Sequence, residues 1–206
     1  MSETNPNSRL ETFCDGVFGI ALTLLIIDIK IPETVPIHTT AEFWSALFHI
    51  LPSIFAFLLS FCIILIAWHN HHNTLKLVDK SSPAFIYANG FLLLTVVILP
   101  FPTNLLGEHL FTSHAVPAVV SFSLVNTLQP IGWILIGKAA LNAKNPLTKC
   151  EKTATVMAQV MKNGFFALIF NSIFTIAAFW FPVAVTIAIT LTWIFWLVYG
   201  ITIKEE

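Results

Sequence analysis

Charge is what this sequence has least of. Lys, Arg, Asp and Glu together make up 10% of its 206 residues, against 56% hydrophobic, whereas an ordinary soluble domain is roughly 25% charged. So little charge excludes a soluble globular protein. The net charge of −1 offers no basic footprint for nucleic acid, and no nucleic-acid partner is expected. Cysteine is scarce too: Cys14, Cys62 and Cys150 have no paired spacing, which argues against a disulfide framework and against a zinc site. The G-x-S-x-G elbow, the H-E-x-x-H helix and a phosphate-cradling glycine loop are all missing. Neither an enzyme nor a cofactor is expected. No polar stretch is long enough to bury a core of its own.

What is present is a series of apolar runs, each long enough to cross a bilayer at about 20 residues apiece. They fall at about 12–30, 45–68, 84–106, 116–137, 160–179 and 182–203. The expected fold is an all-α integral membrane protein with six transmembrane helices, forming a single domain over 1–206. "FWFPVAV" joins the last two runs, and its proline suits the start of a helix after a tight hairpin. The opening "MSETNPNSRLE" has neither a basic n-region nor a small-residue cleavage site, so the first run is expected to be retained.

Basic residues fall almost entirely on one side of this pattern. Arg9, Lys76, Lys80, Lys138, Lys144, Lys149, Lys152, Lys162 and Lys204 share it, while Lys30 stands alone opposite. The positive-inside rule then places both termini in the cytoplasm of a multi-pass protein of the cell membrane, in contact with membrane lipids. The six-helix unit has no second, related half of the kind many transporters carry, which points to assembly from several chains.

The first run, "RLETFCDGVFGIALTLLIIDI", brings Arg9, Glu11 and Asp15 to its threshold. An ionised carboxylate in hydrocarbon costs several kcal/mol, so it needs a partner. At helical spacing Phe13, Gly16, Val17, Ile20, Thr23, Leu24 and Ile27 share one face. An apolar stripe of this kind is most simply a packing seam or a lipid face, and Gly16 and Gly19 suit close helix contact. The polar additions set this helix apart from a plain anchor.

"AWHNHHN" closes the second run with Trp68, His69, Asn70, His71 and His72. Three histidines raise the question of a metal, but only His69 and His72 share a face, without a carboxylate or cysteine beside them. No metal is expected. A polar cluster at the cytoplasmic boundary is, with an imidazole bonding Asp15 and with Asn89 of the third run nearby. "LPFPT" supplies Pro100 and Pro102, which must end or kink the third helix.

"R-L-E-T-F-C-D-G-V-F-G-I-A" resembles the R-x-x-x-F-S-D signature of the transmembrane protein 175 family, the lysosomal potassium channel and its prokaryotic homologues. Trp68 and His71, as W-x-x-H, and "LPFPT" support the likeness, which spans the whole chain. The resemblance implies a homotetramer whose four first helices line a central pore for potassium ions, passively conducted with moderate selectivity. The pattern T-V-G-Y-G of ordinary potassium channels does not occur. By position, Ile20, Leu24 and Ile27 would form hydrophobic constrictions that stop ions by excluding water, with Thr23 hydroxyls near the narrowest level. Arg9, Phe13, Cys14, Asp15, Trp68, His71 and Asn89 would hold the pore helix. Cys14 stands where the family has Ser, and Gly19 where Ala is common. The alternative is a proton-coupled or proton-conducting transporter using Asp15 and His71 as a relay.

Overall fold

The structure is a computed structural model of the chain and describes residues 7–27, 29–31, 37–142 and 144–202, with side chains as far as 198. It contains α1 (Ser8–Leu24), α2 (Thr40–His49), α3 (Leu51–Leu75), α4 (Pro83–Ile98), α5 (Pro100–His109), α6 (Ala115–Ala140), α7 (Glu151–Ala177) and α8 (Pro182–Thr202). These eight segments make six hydrophobic units, because the second and third units are each broken once. Both breaks have the same cause. Pro52 and Pro100 lack the N–H that would reach back four residues, to Phe48 O and Val96 O. Those carbonyls are taken instead by Ile50 N and Leu99 N, so the backbone tightens and changes direction.

Among the described residues, four units are long and apolar enough to cross a bilayer: Thr40–Leu75, Pro83–His109, Ala115–Ala140 and Glu151–Ala177. The first of these, at about 1.5 Å per residue, would rise some 54 Å as one rod, far beyond a hydrocarbon core of about 30 Å. The break before Pro52 relieves that excess. The first unit departs from its expected span of 12–30: α1 starts at Ser8, and after Leu24 the chain enters a turn through residue 27. Its polar first turn belongs to the helix, with Thr12 Oγ1 donating to Ser8 O at 2.9 Å. At the other end Ile27 N–H donates to Leu24 O at 3.2 Å, a tightened three-residue bond.

Small residues decide how closely the helices pack, as they do in membranes. A Cβ on Gly107 of α5 would meet Ser53 Cα of α3 at 2.6 Å, and one on Gly137 of α6 would meet Met161 Cβ of α7 at 2.7 Å. Gly132 presses against Leu92 of α4 in the same way. Ser60 and Thr103 hydroxyls bond at 2.6 Å across the α3–α5 seam. Pro130 sits inside α6 and frees the carbonyl of Asn126, which accepts from Asn171 Nδ2 of α7 at 2.8 Å. An unpaired backbone carbonyl in lipid is costly, so α7 completes α6.

One end of the bundle is tied by its connections. Val78 and Thr148 form an antiparallel bridge, with Asp79 N donating to Leu147 O and Lys149 N to Leu77 O, both at 3.1 Å. Asn7 Nδ2 donates to Lys80 O at 3.2 Å. The start of α1, the α3–α4 connection and the α6–α7 connection therefore meet at the end that carries the basic residues. At the opposite end, a turn over 178–180 links α7 to α8, with Pro182 opening the last helix.

Candidate functional site

α1 has two unlike faces. Cys14, Phe18, Ala21 and Leu25 are buried, joining a core that includes Ile64 of α3 and Val96 of α4. On the other side Phe13, Gly16, Ile20, Thr23, Leu24 and Ile27 are exposed, Ile20 at 60% and Ile27 at 66%, while Val17 is half-buried between the faces. Nothing lies within 4 Å of the Cβ that Gly16 or Gly19 would carry. The stripe expected from helical spacing thus turns away from its own protomer, although Ile27 stands in the turn just past the helix rather than on it. Thr23 Oγ1 donates to Ile20 O at 2.8 Å. That bond spends its proton on the helix and leaves hydroxyl lone pairs to face outward.

The buried face is fixed by a ladder between α1 and α3. Trp68 Nε1 donates to Asp15 Oδ1 at 2.9 Å, and one turn away on both helices His72 Nδ1 lies 3.1 Å from Glu11 Oε1. The indole of Trp68 stacks on the His72 ring, with centroids 6.1 Å apart. The expected imidazole partner of Asp15 is therefore replaced by an indole, because Trp68 and not His71 points from α3 at the level of Asp15. Glu11 receives the histidine.

His71 turns to the interior. Asn89 Nδ2 donates to Phe85 O at 2.7 Å, which orients the amide so that its oxygen meets His71 Nε2 at 2.8 Å. The proton must then sit on Nε2. The ring lies between Phe18, at 5.4 Å, and Trp133, at 6.5 Å between centroids, and His71 Nδ1 has no partner among the described residues. The site residues separate into two pairs, Asp15–Trp68 and His71–Asn89, with no direct hydrogen bond between Asp15 and His71. Arg9 is exposed, beside Ser8, Thr12 and Phe13 at the mouth of a shallow hollow, and forms no ion pair among the described residues.

His69 bonds Asn73 at 3.0 Å, so the three histidines of "AWHNHHN" each go to a different partner. Among the described residues, no group of three His, Cys, Asp or Glu side chains gathers where a metal could bind. The sequence reading did not single out Glu11–His72, though its signal was there: Glu11 and Asp15 are four apart, as are Trp68 and His72. Nor did it single out Asn126, four residues before Pro130 in α6, or Asn171 in α7.

The chain is similar to known proteins in both sequence and fold. The family model described as endosomal/lysosomal potassium channel TMEM175 matches residues 9–100. A potassium channel of Chamaesiphon minutus is 46% identical over 113 residues, which cover 55% of this chain and 55% of that protein. The match thus spans about half the length of that relative. A protein of Gallus gallus named endosomal/lysosomal proton channel TMEM175 is 31% identical over 134 residues, 62% of this chain and 26% of that one. The crystal structure of a lysosomal potassium-selective channel TMEM175 homologue from Chamaesiphon minutus superposes with a TM-score of 0.77 at 31% identity, covering 95% of this chain and 98% of that chain. The family and these relatives are ion channels, not enzymes. With a fold shared over nearly the whole of both chains, and a family match that contains α1, its ladder to α3 and the His71–Asn89 pair, the chain belongs to the TMEM175 family.

Proposed function

We propose that the chain is a passive, moderately potassium-selective cation channel: a homotetramer in the cell membrane, both termini cytoplasmic, with four α1 helices around a central pore. The observation that carries this reading is the outward face of α1. A lipid face gains from bulky apolar side chains, whereas this face mixes Ile20, Leu24 and Ile27 with Gly16, Gly19, Thr12, Thr23 and Arg9, all exposed. Glycines and hydroxyls are poor lipid contacts but suit a narrow passage around an axis. Rings of Ile20, Leu24 and Ile27 would exclude water and stop ions until the neck widens. Between the first two rings, Thr23 oxygens would offer a partly dehydrated potassium ion its closest ligands. The ladder to α3 and the His71–Asn89 pair would hold each pore helix at its distance from the axis.

The test is potassium flux in proteoliposomes holding the full chain. Flux driven by a potassium gradient alone, without a pH gradient, is the expected result, and a strict requirement for a pH gradient would favour proton coupling. Thr23→Ala is expected to shift the reversal potential in mixed potassium and sodium toward sodium while leaving a pore. An unchanged reversal potential would remove Thr23 from the account.

A further inference from the structure

The membrane boundary at the basic end can be read from α7. Its outward face is polar through Lys152, Thr155, Gln159 and Lys162, then turns wholly apolar from Phe165. From residue 163 to its end at Ala177 the helix rises about 22 Å, which with the turn over 178–180 beyond it fits within a hydrocarbon thickness of about 30 Å. Lys162 Nζ lies 6.0 Å from the centroid of the Phe166 ring, which places its charge at the edge of the apolar face.

α6 places a second cation at the same level. Gly137 is pressed against Met161 so tightly that a Cβ there would stand 2.7 Å from Met161 Cβ. Lys138 and Lys162, the next residue along each antiparallel helix, therefore flank one seam, and both are exposed. Among the described residues the ion pairs all involve histidine, so neither lysine is neutralised, although Asp79 and Glu151 lie at this end. Two unpaired ammonium groups over an aromatic and aliphatic face present the two halves of a phospholipid with a partner each.

We propose that the α6–α7 seam at Lys138 and Lys162 binds the phosphate of an anionic membrane phospholipid, whose acyl chains lie along Phe165, Phe166, Ile169 and Phe170. The site rests on the chain being a membrane protein and is independent of the pore assignment.

Native mass spectrometry of the full chain in detergent, titrated with phosphatidylglycerol and with phosphatidylcholine, tests it. The wild type is expected to prefer phosphatidylglycerol, and Lys138→Gln/Lys162→Gln to lose about twentyfold to thirtyfold in that affinity, the worth of two lysines at an anionic headgroup plane. Lys138→Arg/Lys162→Arg should keep it. Lys144→Gln/Lys149→Gln removes the same charge from the connection above and should leave binding nearly unchanged. An equal loss there would overturn the site in favour of a diffuse surface potential, as would equal binding of the two lipids by the wild type. Displacement of the lipid by excess inorganic phosphate would overturn the lipid assignment in favour of a free-anion site.

Discussion

α1 and α7 each present an apolar face that nothing in the protomer covers, yet the two faces are built differently. α7 offers Phe165, Phe166, Ile169, Phe170, Ile173 and Ile176, all large, with Gly164 turned inward against α6. α1 offers Ile20, Leu24 and Ile27 interrupted by threonines, and its two glycines turn outward into open space. Exposure in a single protomer therefore has two meanings. Under the proposed reading, the bulky face with its small residues inside meets lipid. Under the same reading, the face with its small and polar residues outside meets other copies of the chain.

The sharpest way to break that comparison is to place one polar residue on each face. Ile20→Asn is expected to raise potassium flux tenfold or more, by wetting a hydrophobic constriction, whereas Ile169→Asn should leave the flux of correctly inserted protein unchanged and lower only the yield. Equal effects on flux would erase the distinction between the faces.

A second contrast uses the glycines. Gly137→Leu forces a side chain into Met161 and should destabilise the protomer by about 1–3 kcal/mol or more, as overpacking does; thermal unfolding in detergent reads this. Gly16→Ala meets nothing in the protomer, so its unfolding should match the wild type while the oligomer distribution on size-exclusion chromatography changes. A protomer destabilised by Gly16→Ala would mean that the α1 face is packed within one chain.

Much of this division was legible in the sequence. Six apolar runs, the one-sided lysines and the α1 stripe follow from spacing and composition, and the bundle end tied by Val78–Thr148 gathers the basic connections. What was not legible depends on which helix lies beside which. Periodicity shows that Asp15 needs a partner but cannot tell whether Trp68 or His71 faces it, since three residues along a helix turn the side chain by some 60° from the starting direction. The break at Ile50 falls inside the apolar run 45–68, where Pro52 stands alone, whereas Pro100 and Pro102 stand out as a pair in "LPFPT". Helix ends shifted where polar first turns, such as Ser8–Thr12, proved helical beyond the apolar run.

The ladder that separates the two faces of α1 gives a smaller effect. Trp68→Phe keeps an aromatic ring on α3 but leaves Asp15 without its indole donor. A partly buried acceptor left unsatisfied costs about 1–3 kcal/mol, so the melting temperature should fall, and flux should change with it if the ladder sets the distance of α1 from the axis. Stability lost without any change in flux would make the ladder a fold contact alone.

A comparable cost is expected on the α7 side, where the question is whether that helix has a structural duty beyond its outward face. Asn171→Leu removes the donor that serves Asn126 O, a carbonyl orphaned by Pro130, at a cost of about 1–3 kcal/mol. Pro130→Ala supplies a backbone N–H in its place, so the double variant should recover most of what Asn171→Leu loses. That non-additivity, measured as a thermal-unfolding cycle, would assign the stabilisation to the pairing of one helix's defect with another's side chain. Additive losses would mean that Asn171 acts through some other contact, and that α6 tolerates its proline without help from α7.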